Sequence, residues 1–200
     1  MVKENKKFNV LMIYGSPRRS GNTDELLNSF EKGLLENKRY NKEMLFIDKV
    51  IVNNLKIMPC IECRKCSIDG QCAIKDDMQD IYPKLINYDF IAVASPIFFT
   101  SVSGFLKGFI DRCQRFWALK YELKENIFNK KRKGIFISTA GSNNSNIFDC
   151  SKKVIKSFFD VLYVDYDASF TYNSIDFKGD ILKNEEMMLQ LYDYGKNIVF

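Results

Sequence analysis

"FNVLMIYGSPRRSGNTDELLNSF", residues 8–30, changes character at its middle. Up to Tyr14 it is an unbroken apolar run, the pattern of a strand covered on both faces. From Thr23 onward Leu26, Leu27 and Phe30, then Leu34 and Leu35, recur at helical spacing. Between the two lie small and hydroxylated residues: Gly15, Ser16, Ser20, Gly21, Asn22 and Thr23. A strand, a small-residue turn and a helix form the first half of a βαβ unit. Unpaired N–H groups and the helix dipole at such a helix start favour an anion. A phosphate is expected there, with Arg18 or Arg19 adding charge; a plain turn capped by Asn22 or Thr23 is the alternative.

The same alternation continues down the chain. Strands are predicted at 43–50, 89–95, 134–140 and near 163–170. Helices are predicted over 76–88 in spite of Pro83, from Gly104 to about Phe116, from Asn146 to Leu162 and from Asp180 to Val199. Five strands alternating with helices predict one doubly wound α/β domain over residues 1–200, with a five-stranded parallel sheet and ligands beyond its carboxyl edge. A cysteine-rich segment at about 58–75 is then an insertion after strand two. Two hundred residues are enough to close a hydrophobic core.

Composition removes several chemistries. There is no histidine, which excludes an imidazole base, a histidine metal site and a Ser-His-Asp triad from this chain. The net charge of +5 is modest, and Lys130, Lys131, Arg132 and Lys133 read as solvated surface rather than a nucleic-acid site. The apolar run near the start is too short and too quickly ended by Gly15 to be a signal segment, and no stretch approaches the ~20 apolar residues of a membrane span. A cytoplasmic setting with reduced thiols is the expectation.

Two further loops follow predicted strands. In SPIFFTSVSGFLKGFIDR, Pro96 fixes the backbone while Ile97, Phe98 and Phe99 offer an apolar wall for a flat ring; core packing is the competing view. In STAGSNNSN, Thr139, Ala140, Gly141 and Ser142 are small enough for close backbone approach. The first loop lacks the lysine of a P-loop, the glycine pattern of a dinucleotide fold and the cysteine of a small phosphatase. What remains is a phosphomonoester held by main-chain donors and hydroxyls.

GSPRRSGNT, SPIFFTSVSGFLKGFIDR and TAGS together resemble the flavodoxin-like NADPH-dependent FMN reductase superfamily over most of the chain. The resemblance implies FMN, with Ser16, Arg18, Ser20, Gly21, Asn22 and Thr23 at its phosphate. It implies Pro96, Ile97, Phe98, Phe99 and Ser101 along the isoalloxazine and Thr139, Ala140, Gly141 and Ser142 at its other edge.

Cys60, Cys63, Cys66 and Cys72 follow C-x2-C-x2-C-x5-C. Three cysteines three apart let one loop wrap three corners of a 4Fe-4S cubane, and the fourth can reach the last. Structural zinc more often uses two widely separated C-x2-C knuckles, and free or transiently oxidised thiols are the third possibility. Arg64 and Lys65 would lower the thiolate pKa values if oriented inward, and could equally be solvated. Cys113 and Cys150 read as buried packing thiols.

Within an FMN-reductase-like chain this spacing resembles the iron-sulfur flavoproteins of anaerobic microbes. That resemblance implies an electron-transfer oxidoreductase linking a reduced donor, ferredoxin-like or NAD(P)H, to a 4Fe-4S cluster, FMN and a redox protein or small-molecule acceptor. It also implies a homodimer or homotetramer, with Phe116, Trp117 and Tyr121 as contact candidates. No side chain is expected to act as a catalytic acid or base. The rivals are a cluster-free NAD(P)H-dependent FMN or quinone reductase and a flavodoxin-like thiol redox sensor.

Overall fold

The computed structural model describes residues 7–40, 42–128 and 130–199; the basic opening at residues 1–6 lies outside them. In chain order the elements are β1 (Phe8–Tyr14), α1 (Asn22–Leu35), β2 (Leu45–Ile51), α2 (Cys66–Asp69), α3 (Met78–Asn87), β3 (Phe90–Pro96), α4 (Gly104–Asp111), α5 (Gln114–Trp117), β4 (Arg132–Thr139), α6 (Asp149–Val161), β5 (Val164–Tyr172) and α7 (Glu185–Asn197). The strands form one sheet in the order β2-β1-β3-β4-β5, and every pairing is parallel. This is the flavodoxin-like doubly wound fold expected, and the cysteine segment enters after β2.

Alternation along each strand divides the core. Leu11, Ile13, Ile91 and Val93 face α3, α4 and α6 through Tyr82, Phe109 and Phe158. Val10, Met12, Ala92 and Ile135 face α1 and α7 through Leu27, Phe30 and Leu191. The two outer helices of that second layer meet at glycines: a Cβ on Gly33 would collide with the Tyr192 carbonyl oxygen, and one on Gly195 with that of Phe30.

Three predicted helices are shorter than expected. The run from Gly104 breaks into α4 and α5 at Arg112 and Cys113 and ends in a π-helical turn over Ala118–Glu122. The last helix starts only at Glu185, because the Asn184 side chain caps it by accepting the Met187 N–H at 3.2 Å. A 3-10 turn over Ser145–Phe148 precedes α6.

The basic run is not all solvated. Arg132 is 1% exposed. Its guanidinium donates to the carbonyls of Leu85 (2.5 Å), Tyr88 (2.9 Å) and Leu162 (2.9 Å), at the carboxyl ends of α3 and α6. Those ends carry unpaired carbonyls and the negative pole of the helix dipole, so a buried cation has a purpose there. Burial pulls its pKa down to about 10, against the pull of Asp89, and it stays protonated at neutral pH. Cys113 is buried as expected, but Cys150 is exposed on α6, because it falls on that helix's outward face.

Candidate active site at the carboxyl edge

The carboxyl ends of β1, β3, β4 and β5 converge on a crevice of about 80 Å³. Ser16, Arg18, Gly21, Asn22 and Thr23 line it from the first loop. Pro96, Ile97 and Phe98 do so from the second, and Thr139, Ala140 and Gly141 from the third. Ile175, Asp176 and Lys178 close it from the segment after β5, which the sequence did not single out. A Cβ on Gly141 would stand 2.8 Å from Asp176 Oδ1, so a side chain there would have to displace the Asp176 carboxylate. Ser20, Phe99, Ser101 and Ser142 stand outside the lining.

The first loop is held from beneath. Ser20 adopts φ 51°, and its N–H donates to Asp24 Oδ2 at 2.9 Å. The Asp24 and Glu25 N–H groups turn back to the Gly21 carbonyl, both at 3.0 Å, leaving the donors ahead of them at the helix start without an intrahelical acceptor. The Ser16 hydroxyl takes the Arg18 N–H at 3.1 Å. Asn22 serves differently from expectation. Its side-chain amide donates to the Phe177 carbonyl at 2.9 Å and its oxygen accepts from Gly179 at 3.0 Å and Ile181 at 3.3 Å, so it straps the post-β5 segment onto this loop and leaves its backbone N–H for an anion. Burial raises the pKa of Asp24, whose Oδ1 has no partner.

The second loop contains a tight reversal. Phe98 and Ser101 exchange backbone hydrogen bonds at 2.9 and 3.1 Å, while Phe99 and Thr100 both have positive φ, 47° and 64°. Paired positive φ values belong to turns that favour Asn-Gly. An aromatic and a β-branched residue in their place hold backbone strain of the sort found at functional sites. The reversal projects Phe99 wholly into solvent, not into the apolar wall predicted for it; Phe98 alone of the pair lines the crevice.

The cysteine segment builds a second, larger cavity of about 270 Å³. Cys60, Cys63, Cys66 and Cys72 all line it, although Cys60 and Cys63 are exposed while Cys66 and Cys72 are half-buried. Glu62 and Arg64, on either side of Cys63, have φ 51° and 57°. These left-handed residues curl the loop, and a left-handed residue followed by right-handed Lys65 is the backbone alternation that turns N–H groups toward phosphate and iron-sulfur anions. Burial, followed by the neighbouring Cys72, Cys60 and Cys63, pushes up the pKa of the Cys66 thiol. Among the described residues, no group of three His, Cys, Asp or Glu side chains is drawn tightly enough to hold a single metal ion.

Arg64 lines the cavity but pairs with Glu62 at 3.4 Å, and Lys65 pairs with Asp69. A buried cation, Arg112, 1% exposed just past the end of α4, reaches one of the thiols. Its Nη1 donates to Asp76 Oδ2 at 2.5 Å and to the Met58 carbonyl at 2.8 Å. Its Nη2 donates to Asp76 Oδ1 at 3.1 Å and to Cys72 Sγ at 3.4 Å. Asp76 also accepts the N–H groups of Met58 (2.9 Å) and Met78 (3.1 Å). Burial alone would raise the Asp76 carboxyl, but Arg112 and the two backbone donors hold it below the usual carboxylate range. The sequence signal for Arg112 was one cation ending the apolar run GFLKGFID, with nothing local to name its partner.

An apolar groove of about 460 Å³ lies between the two sites. It runs from Pro17 and Phe98, beside the crevice, past Leu55 and Phe109 to Pro59, which precedes Cys60. The model of the family described as NADPH-dependent FMN reductase matches residues 8–166, from β1 into β5. The chain belongs to that family. It is thus a flavin-dependent oxidoreductase, and FMN is the family's cofactor.

Relatives of the chain include an iron-sulfur flavoprotein of Methanosarcina thermophila, 30% identical over 153 residues, which are 76% of this chain and 71% of that protein. An iron-sulfur flavoprotein of Archaeoglobus fulgidus is 34% identical over 100 residues, 50% of this chain and 43% of that protein. The match thus spans less than half the length of the second. Among solved structures, an NAD(P)H:quinone oxidoreductase from Methanothermobacter marburgensis superposes with a TM-score of 0.66 at 17% identity, covering 96% of both chains. An FMN-dependent NADH-azoreductase from Bacillus anthracis, in complex with FMN, gives 0.60 at 14% identity, covering 94% of this chain and 96% of that one. At these identities the likeness is one of fold. Among the described residues no helix is long and apolar enough to cross a membrane.

Proposed function

We propose that this FMN reductase family member is an iron-sulfur flavoprotein, with FMN in the crevice at the sheet edge and a 4Fe-4S cluster on Cys60, Cys63, Cys66 and Cys72. The observation that carries the reading is that all four thiols line one cavity in a chain whose crevice suits a flavin phosphate.

The residues fit both groups. For FMN, the unpaired N–H groups at the start of α1, the buried hydroxyls of Ser16 and Thr23 and the Arg18 charge form a phosphate cradle. Pro96, Ile97 and Phe98 on one side and Thr139, Ala140 and Gly141 on the other flank the ring. For the cluster, the donor set is four thiols on a loop curled by left-handed residues, with a guanidinium N–H at one sulfur. When bound, the pair supplies one-electron chemistry beside a group able to take one or two electrons. The chain would hold and orient both groups, and no side chain is assigned a proton transfer.

Electrons enter from a ferredoxin-like protein or NAD(P)H and leave to a redox protein or a small acceptor. The chain works as a homodimer or homotetramer. Trp117 and Tyr121, exposed with ring centroids 5.7 Å apart, are the contact candidates, whereas Phe116 is sealed in the core.

A cluster-free NAD(P)H-dependent reductase is the second reading, favoured by the loose spacing of the thiols. Iron, acid-labile sulfide and FMN content of anaerobically purified protein separates the two. Four irons and four sulfides per chain with FMN are expected. FMN without iron or sulfide, even after reconstitution, refutes the cluster and leaves the reductase.

A further inference from the structure

The four cysteines are not equivalent. Cys60 and Cys63 stand at the exposed rim, and Cys66 begins the short α2. Cys72 alone lies against the body of the fold, packed beside the core layer that contains Tyr82 and Phe109. It is also the cysteine whose sulfur a buried guanidinium reaches, through Arg112 Nη2 at 3.4 Å.

Arg112 is itself fixed. Its two terminal nitrogens clasp both oxygens of Asp76, and Asp76 holds the two ends of the insertion through Met58 and Met78. A planar fork with one arm shared among the Asp76 carboxylate, the Ile74 carbonyl at 3.4 Å and the Cys72 sulfur is a geometry lysine cannot reproduce. Arg64 and Arg115 also line the cavity, but Arg64 pairs with Glu62, Lys65 with Asp69, and Arg115 lies over the Tyr82 ring at 4.5 Å.

We infer that Arg112 is a positioning residue for the cluster. It sets the place of the Cys72 sulfur and, by its N–H···S hydrogen bond, raises the cluster's reduction potential above that of a cluster lacking this bond. Asp76 cancels much of the guanidinium's field at longer range, so the effect is carried by the directed hydrogen bond. Hydrogen bonds to cluster sulfurs stabilise the more negative, reduced state. The inference rests on the cluster reading.

The test compares wild type, Arg112→Lys and Arg64→Gln in the full chain, each purified anaerobically, reconstituted, counted for iron and FMN, and titrated potentiometrically by EPR. Arg112→Lys keeps the charge and loses the fork; Arg64→Gln removes an exposed charge from between the cysteines. In Arg112→Lys we expect FMN to be retained and the cluster's reduced-to-oxidised ratio at a fixed potential to fall about tenfold, about 59 mV for one electron. Iron loss with FMN retained also supports the inference, because the anchor of Cys72 has gone. Arg64→Gln, which removes an exposed charge already paired with Glu62, is expected to shift the midpoint by clearly less than Arg112→Lys.

A fully loaded Arg112→Lys with the wild-type midpoint overturns the inference, as does an equal shift in Arg64→Gln, which would assign the effect to local charge. Should Arg112→Lys not fold, the Arg112→Met/Asp76→Leu double variant takes its place, since it removes the hydrogen bond with no change in net charge. An unmoved midpoint there overturns the inference equally. Wild type that binds FMN but no iron refutes the cluster reading itself, a result distinct from any of these.

Discussion

Replacing Asp76 with Leu strands the Arg112 charge in the core. The pair is buried, with side-chain exposures of 0% for Arg112 and 9% for Asp76. Removing one partner of such a pair costs about 3–5 kcal/mol, because the other remains as an uncompensated buried ion. The Met58 and Met78 N–H groups also lose their acceptor. For a domain of this size the loss amounts to a fall in Tm of roughly 6–20 °C at about 2–4 °C per kcal/mol. Adding Arg112→Met removes the stranded charge, so the double variant should recover at least about 2 kcal/mol, keeping the penalty of the two unsatisfied N–H groups. Urea unfolding followed by circular dichroism on all four members of the cycle reads the coupling. Additive losses, with the double variant as unstable as the two singles combined, would refute the claim that the two side chains act as a pair. The acid limb gives a second reading. Since the folded Asp76 pKa is depressed, its stabilisation is complete above the ordinary carboxylate range and fades as pH falls through the depressed value. The advantage of wild type over Asp76→Leu should therefore close on acidification; a gap that persists unchanged under those conditions contradicts an ionised Asp76.

Cys63→Ala should abolish the iron signal of reconstituted protein and leave FMN content unchanged; full iron in this variant would strike Cys63 from the ligand set. Thr100→Gly relieves a β-branched residue at φ 64° and should stabilise by about 1 kcal/mol, with a thermal melt no higher than wild type counting against strain in that turn. Arg132→Met leaves three buried carbonyls unpaired and should cost at least about 3 kcal/mol without weakening FMN binding, since Arg132 begins β4 at the sheet edge away from the crevice. A flavin titration showing reduced affinity at equal folding would break that separation.

What could be read from the sequence was what sequence neighbours decide. Residues 8–35 show strand, turn and helix in their own pattern, and the other parallel strands show in the apolar runs that two-sided burial requires. The three loops that meet at the crevice were found because each immediately follows a strand, and the rule that ligands sit at the carboxyl edge brings them together. The missed features are pairings across distance or backbone conformations. Nothing near Arg112 indicates an acid 36 residues upstream, and nothing near Lys130 marks Arg132 as the one cation of its run that two helix ends would bury. Asn22 has the composition of a phosphate ligand, yet its side chain is occupied by a segment more than 150 positions away. Positive φ at Phe99 and Thr100 runs against the preference of both residues, so only the hydrogen-bonded reversal in three dimensions reveals it.

One short element relates the two sites. α4 is preceded by Ser103, whose hydroxyl caps the helix by accepting the Leu106 N–H and donates to the Gly15 carbonyl of the first loop. It ends at Arg112, which clasps Asp76 and reaches Cys72. Eight residues of α-helix rise about 12 Å. The first loop and the cysteine loop, fastened to opposite ends of so short a helix, cannot drift apart without breaking one of two buried attachments. The apolar face of the same helix, Phe105 and Phe109, lines the groove between them. An insertion that looks appended in sequence is therefore held at a set distance from the first loop. If the chain holds both proposed centres, a fixed short separation is what electron exchange between them demands, and a mobile lid would not supply it.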